Sequence, residues 1–344
     1  MGLKQLQALF FLFDMIDFEK LKNIILNNHS FLITTHVNPD ADAIGSEVAF
    51  YFLLKKLGKE TFIVNHSATP YNMEFFNKEN IIQRFDEEFH KNIFNEVDVI
   101  VALDFNRADR TVRMEQGIRS STRLKICIDH HQDPENFVDH FFVDTNYCAT
   151  GHIIFEFIKT SKIVELDLQI AEALYAAIMT DTGSFRFERT TSEVHKIVAE
   201  LLEQGVNPEN VYDRLYDQSK FSKLRLLGRA LNSIELTGEG KVGYMVITQK
   251  DFVELDAIES DTENFVNYNL SIEKVVLGIL FIELKNGFKV SFRSKGNIPV
   301  NLLAKEFGGG GHINASGARF FTNNLQEMIP LILSKAITYL NNQR

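Results

Sequence analysis

The chain has 344 residues, enough for two domains with cores of their own. Hydrophobic residues make up 45% and charged residues 24%, the balance of a soluble globular protein, and a net charge of −10 with no block of Lys or Arg argues against a protein that grips long duplex nucleic acid. Only two cysteines occur, Cys127 and Cys148, in no CxxC pair, which argues against a disulfide framework and a zinc site and points to a reducing, cytoplasmic compartment.

Residues 1–14 carry the apolar run LQALFFLF (5–12) and read as an extension outside the fold. The run is short of the roughly 18 apolar residues of a membrane helix, and no small-residue cleavage site follows it. MIDFEKLKNIILNN, starting at Met15, reads as an amphipathic helix. Strand candidates follow at FLITT (31–35), ETFIVN (60–65), VDVIVALD (97–104) and LKICID (124–129). SEVAFYFLLKKLG (46–58) is an apolar-striped helix that Gly58 ends. TGHIIFEFIKT (150–160) and LDLQIAEALYAAIMTDT (166–182) read as further helices. Apolar strands separated by helices predict an α/β domain over 15–188, a mostly parallel sheet covered by helices on both faces. Residues 189–235 read as a helical connector, with Pro208 opening a new helix after a Gly205 stop. From 236 to 344 the pattern predicts a smaller α/β domain with Asn286-Gly287 as a hairpin signal, a helix over IPVNLLAKEF and a closing helix over LQEMIPLILSKAITYL.

Charged groups gather where these strands finish. His36, Asp40 and Asp42 follow the first strand, Asp104 closes the third, and Asp129, His130 and His131 close the fourth. Ligands of open α/β sheets bind beyond the carboxyl ends of the strands. Bare carboxylates so close would repel, and divalent cations turn that repulsion into coordination. Taken singly, each residue is more simply a solvated turn or a helix end. Jointly, His36, Asp40, Asp42, Asp104, His130 and Asp181 form a candidate set for two divalent cations, manganese or magnesium rather than zinc, with Asp104 as the bridging carboxylate. His29, His66, His90, His140, His152 and His195 read as structural or exposed.

THVNPDADAIGS, ALDFNRADR, IDHH and MTDTGSFRF resemble, in order, the four motifs of the DHH phosphoesterase superfamily, and GGGGHINASG resembles the glycine-rich signature of its associated C-terminal domain. The resemblance covers residues 15 to 344 and is nearest to the bacterial nanoRNase and pAp phosphatase group. It implies that His36 and Asp40 hold one metal, that Asp42, His130 and Asp181 hold the other, that Asp104 bridges, and that His131 faces the substrate. His131 could instead orient Asp129, which itself reads as a residue that orients rather than ligates. The second motif departs from many relatives after its aspartate, and Arg107 and Arg110 there either contact phosphate or face solvent. The implied reaction is hydrolysis of short oligonucleotides, and removal of the 3′ phosphate of pAp, by metal-activated water attacking phosphorus in line.

In the second domain, the glycines (Gly309, Gly310 and Gly311 among them) would let backbone amides converge on an anion, with His312 and the turn through Ser316 meeting the same ligand. Arg293 and Ser294 are candidates for gripping a terminal phosphate or base. A substrate lying between the two domains would be measured by length, which favours short strands over long ones. Expected partners are therefore short oligonucleotides and nucleotide bisphosphates, with no long duplex and no membrane; a homodimer is left open. The rival readings are a pApA or cyclic-dinucleotide phosphodiesterase and, in another class, a non-catalytic nucleotide- or RNA-binding protein, for which broken ligand motifs would be the sign. Pyrophosphatase and RecJ-like action on long strands fit less well, the former for the GGGGH loop and the latter for the acidic balance.

Overall fold

The structure, a computed structural model, describes residues 16–322 and 324–342, so the extension read at 1–14 lies outside the described residues. The chain divides into two compact units, which meet in sequence at Gln218 and Ser219.

The first unit opens with α1 (Phe18–Asn27), whose start is capped by Asp17, and runs into β1 (Ser30–Thr34). Helix α2 (Ala41–Lys56) starts five residues before the first apolar-striped position read from sequence, because the Asp40 side chain accepts from the amides of Asp42 and Ala43 and caps it there. Next come β2 (Glu60–Asn65), β3 (Ile82–Arg84), α3 (Ile93–Glu96), β4 (Val99–Leu103), α4 (Glu115–Ser120), β5 (Leu124–Asp129) and β6 (His140–Val143). Helices α5 (Thr150–Ser161), α6 (Leu168–Asp181), α7 (Ser192–Glu203) and α8 (Pro208–Tyr216) complete the unit.

Its strands form one sheet in the order β3-β2-β1-β4-β5-β6, and every pairing is parallel. Alternation along the strands feeds two cores. Phe31, Ile33, Val99, Val101, Ile126 and Ile128 face one way and pack with α2, α5 and α6. Leu32, Ile100, Ala102 and Cys127 face the other way and pack with Phe94, Phe105, Met114 and Ile118. Each large aliphatic or aromatic side chain so buried contributes roughly 1.5–3 kcal/mol. A parallel sheet needs both faces covered, and this one has both. Helices α2 and α6 approach closely at Gly45, where a Cβ would stand 2.5 Å from the Ala173 carbonyl oxygen. The chain order reverses between β1 and β4, the kind of switch point beyond whose strand ends ligands of open α/β sheets bind.

The stretch 189–235 is shared between the units. Val194, Ile197, Leu201, Val211 and Leu215 of α7 and α8 sit in the first unit's core. In the second unit, Leu226 and Ala230 of α9 (Phe221–Asn232) pack with Met245, Phe265 and Leu280. Each apolar stripe goes to the nearest surface that can dry it.

The second unit continues with β7 (Glu235–Thr237), β8 (Val242–Ile247), α10 (Gln249–Leu255), α11 (Asn267–Leu270), β9 (Leu277–Leu284), β10 (Gly287–Ser294), α12 (Val300–Lys305), β11 (Gly310–His312), β12 (Ala315–Phe320) and α13 (Leu325–Asn342). The sheet order is β11-β12-β10-β9-β8-β7, with β8 and β9 parallel and the other pairs antiparallel. The Asn286-Gly287 hairpin forms as read, joining Leu284 to Gly287 in register. Among the described residues, no helix is long and apolar enough to cross a membrane.

The glycine run does two jobs that the sequence reading did not separate. The amides of Gly308 and Gly309 donate to the carbonyls of Lys305 and Ala304 and close α12. Gly310 to His312 then pair as β11 with β12. Gly311 has a φ of 138°, and a Cβ there would lie 2.5 Å from the Ala315 carbonyl oxygen, so the hairpin needs a glycine at this point.

Candidate metal centre

His36 follows β1, Asp40 and Asp42 open α2, Asp104 follows β4, His130 follows β5 and Asp181 ends α6. The structure brings all six together. Ligand atoms of His36, Asp40 and Asp104 lie within 4.8 Å of one another, and so do those of Asp42, His130 and Asp181. Asp104 belongs to both neighbourhoods: its Oδ2 is 3.4 Å from His36 Nε2 and its Oδ1 is 3.6 Å from His130 Nε2. His130 Nε2 is also 3.6 Å from Asp42 Oδ2 and 3.3 Å from Asp181 Oδ2. Asp104 takes a left-handed backbone, φ 63°, just past the end of β4.

His36, Asp42, Asp104 and His130 are buried, Asp40 is half-buried, and the Asp181 side chain is 30% exposed. Burial, reinforced by Asp104, Asp181 and Asp40, pushes the Asp42 carboxyl well above its ordinary range. Burial and then Asp40 and Asp104 do the same to Asp181. Burial would raise Asp40 too, but His36 and the Ala43 amide outweigh it and hold it low. For His36, burial is overridden by Asp104 and Asp40, and the imidazole is raised. Four carboxylates crowded in low dielectric with two imidazoles are a donor set that divalent cations fit, since cationic charge offsets the repulsion.

Asp129 is fully buried, and its Oδ1 lies 2.6 Å from His131 Nδ1. Burial lowers the His131 imidazole, but the Asp129 hydrogen bond together with the charges of Asp129, Asp104 and Asp181 more than reverses this and holds it at about 9. His131 Nδ1 is also 3.7 Å from Asp104 Oδ1, which puts His131 inside the acidic neighbourhood. His152 packs on Cys148, and burial drops its pKa to about 4, so of the structural and exposed roles left open to it the structure shows the structural one.

Several residues with a part in this site escaped the sequence reading. The first two amides of α5 grip Asp42: Thr150 N donates to Oδ2 at 2.7 Å and Gly151 N to Oδ1 at 2.9 Å. Ser46 Oγ adds a third bond to Oδ1 at 3.2 Å. Thr150 Oγ1 donates to Asp104 Oδ1 at 2.9 Å, so one threonine ties two aspartates that come from different elements. A helix N-terminus is a natural anion cradle, but nothing in CATGHII says which anion it will meet. Thr150→Val, which keeps the shape and removes the hydroxyl, should weaken divalent-metal affinity about tenfold, checked by titration calorimetry.

The remaining candidates fall as follows. Arg110 lies in the turn after β4, where its carbonyl accepts from Val37 N at 2.7 Å and its exposed guanidinium bears electrostatically on His36. Arg293 is half-buried on β10, its Nη1 donating to the Phe292 carbonyl at 3.0 Å, and burial lowers its pKa. Ser294 and Ser316 are buried: Ser294 Oγ donates to the Ile298 carbonyl and accepts from Asn314 Nδ2, and Ser316 Oγ donates to the Val300 carbonyl. Gly309 is partly covered, whereas Gly310, Gly311 and His312 are exposed along β11.

Comparison with known proteins places the chain in a family. Residues 30–178 match the DHH family, N-terminal domain, and residues 240–341 match the DHHA1 domain. The chain is 34% identical, over 83% of its length and 82% of the relative's, to the Thermus thermophilus protein named bifunctional oligoribonuclease and PAP phosphatase NrnA. The Bacillus subtilis protein of the same name is 27% identical over 85% of this chain and 89% of its own. An exopolyphosphatase-related protein from Bacteroides fragilis has a solved structure that superposes with a TM-score of 0.87 at 31% identity, covering 94% of this chain and 97% of that one. The chain belongs to the DHH family of phosphoesterases and carries its DHHA1 domain.

Proposed function

We propose that this chain is a metal-dependent phosphodiesterase that hydrolyses short oligonucleotides, of about two to five units, to 5′-mononucleotides and removes the 3′ phosphate of pAp; the net charge of −10 and the lack of a basic block weigh against long duplex. The observation that carries this reading is the meeting of six metal-type side chains beyond β1, β4 and β5, in a chain whose relatives are named for oligoribonuclease and PAP phosphatase activity.

In this proposal His36 and Asp40 would hold one cation, Asp42, His130 and Asp181 would hold the other, and Asp104, which lies near both groups, would serve as the shared carboxylate. Manganese suits the oxygen-rich set with two imidazoles, and magnesium is the second choice. The cations supply charge neutralisation at phosphorus and a water acidic enough to attack at neutral pH. Asp129 anchors His131 through Nδ1 and fixes the direction of its ring, so His131 is the group that orients the phosphate or protonates the departing oxygen. Arg110 is the candidate phosphate contact of the first unit. In the second unit Arg293, His312 and the exposed strand from Gly310 are the candidate nucleotide contacts, while Ser294 and Ser316, held by the Ile298 and Val300 carbonyls, shape the loops beside them. Both cysteines are free and buried, which suits a reducing cytoplasm.

The test is turnover by the purified chain, with manganese, of a dinucleotide, pAp, pApA and a long single strand, products being followed by chromatography. Dinucleotide and pAp should be consumed and the long strand left largely intact, with all turnover lost in chelator. Preference for pApA over the dinucleotide would move the reading to the cyclic-dinucleotide pathway enzymes. Binding without turnover in saturating manganese would remove the catalytic reading.

A further inference from the structure

Helix α2 is buried on nearly every side through its first three turns, and in the middle of it stands Glu47, with no exposed surface at all. An acid in such a place costs stability unless something in the fold needs it. Its Oε2 accepts from Asn65 Nδ2 at 2.8 Å. Asn65 is the last residue of β2, and its Oδ1 in turn accepts from Thr35 N at 3.1 Å and from Thr34 Oγ1 at 3.4 Å. Thr35 Oγ1 donates to the Leu103 carbonyl at 2.8 Å. A single buried polar chain therefore runs from α2 to the end of β2, across to the end of β1, and on to the end of β4.

The positions of its links matter. Thr35 precedes His36, and Leu103 precedes Asp104. Glu47 lies seven residues beyond Asp40, two helical turns further along the same face of α2. At the ends of parallel strands the ladder stops supplying partners, and the backbone groups there need others. Asn65 supplies one to Thr35, and Glu47 holds Asn65 in the orientation that does so. Burial pushes the Glu47 carboxyl up to about 8 against the pull of the Asn65 bond, with Asp104 adding to the rise, so the group stands as a neutral acid at pH 7 and needs no counter-charge.

We propose that Glu47 is a positioning residue: through Asn65 it sets the ends of β1 and β4, hence His36 and Asp104, and so governs how tightly the centre takes divalent cations. The inference rests on the assignment of His36 and Asp104 as metal-holding residues. Glu47 touches neither metal nor substrate. Its acceptor oxygen is what the network uses, so glutamine should serve in its place and a purely apolar residue of like size should not.

The experiment uses the full chain stripped of metal and titrated calorimetrically with manganese chloride alone, with melting temperatures recorded in chelator. Glu47→Leu and Asn65→Ala should each weaken manganese affinity about tenfold, as losses of partners behind a metal ligand do. The double variant should be no weaker than either single one, because the two act as one unit. Glu47→Gln should stay within about twofold of the parent, since it keeps the acceptor. Should Glu47→Leu not fold, Asn65→Ala compared with Glu47→Gln decides the matter. Variants that melt lower yet take manganese as tightly as the parent would show a packing role only and overturn the inference. So would Glu47→Gln failing as badly as Glu47→Leu. If the parent chain itself takes up no manganese, the metal assignment fails and this inference goes with it; if the parent binds and Glu47→Leu binds equally, only the inference fails.

Discussion

Replacing Asp104 with asparagine is expected to lower kcat/KM on a dinucleotide about a thousandfold, equivalent to about 4 kcal/mol of lost transition-state stabilisation. The substitution is a clean one. Asparagine tolerates the left-handed backbone at this position, φ 63°, and its Oδ1 can still accept from Thr150 Oγ1. What is lost is the negative charge between His36 and His130 and, with Oδ1 kept on Thr150, the oxygen that faces His36, which becomes an amide NH2. The same change should raise the melting temperature of the metal-free protein, because Asp104 is the foremost of the carboxylates that, after burial, push Asp42 out of its ordinary range. A centre built to hold cations is strained without them, so function and metal-free stability pull apart here. Activity within tenfold of the parent, or a lower melting temperature in chelator, would count against Asp104 as the shared carboxylate. The measurements are steady-state kinetics and scanning calorimetry with and without chelator.

The second large effect is a stability that falls as pH rises from about 6.5 to 8 in metal-free protein. Burial holds Glu47 at about 8, far above its ordinary 4.5, and Asp129 holds His131 at about 9 against an ordinary 6.5. Across this window the folded chain therefore keeps protons that the unfolded chain releases. Each such group removes about 1.4 kcal/mol of stability per pH unit where the two states differ by a full proton. The stabilisation from His131 is complete below its ordinary value and disappears as pH climbs through 9. The raised pKa values of Asp42, Asp181 and His36 act with the same sign. His152 acts oppositely, since burial depresses it to about 4, but most of its contribution is gained below pH 6.5 and only a small remainder falls in this window. Asp40 and Asp129 are held low, so they change only in acid. Saturating manganese should reverse the trend, because cation binding draws the carboxylates into their charged form. Calorimetric melting at pH 6.5 and 8, in chelator and in manganese, reads both signs. A chelated protein whose melting point rises with pH would contradict the burial of this charge network.

The six metal-type residues were legible because their chemistry is local. His36, Asp40 and Asp42 fall within one strand-to-helix turn, and His130 and His131 directly follow the apolar run of β5. Strand ends in a parallel sheet all point to one edge, so periodicity was enough to place the groups that follow β1, β4 and β5 in one region, whereas Asp181, at the end of α6, is brought there by helix packing. The long central strands were legible for the same reason: they are apolar throughout. The edge strands β3 and β6 were not, being three and four residues long, with polar IQR in one and a histidine opening the other. The start of α2 was hidden by the polar motif that caps it, since Asp40 serves the helix and the site at once.

Alternation, caps and motif spacing thus suffice to specify a covered parallel sheet, a second α/β unit and the residue types of a metal centre, because each depends on neighbours a few residues apart. The grip of Thr150 and Gly151 on Asp42 spans more than a hundred residues, and the bond from Thr35 to Leu103 spans 68. Such contacts belong to no local pattern. They exist only once packing has brought helix ends against strand ends in a dry interior, where every buried donor must find an acceptor and only the folded chain settles which one it meets.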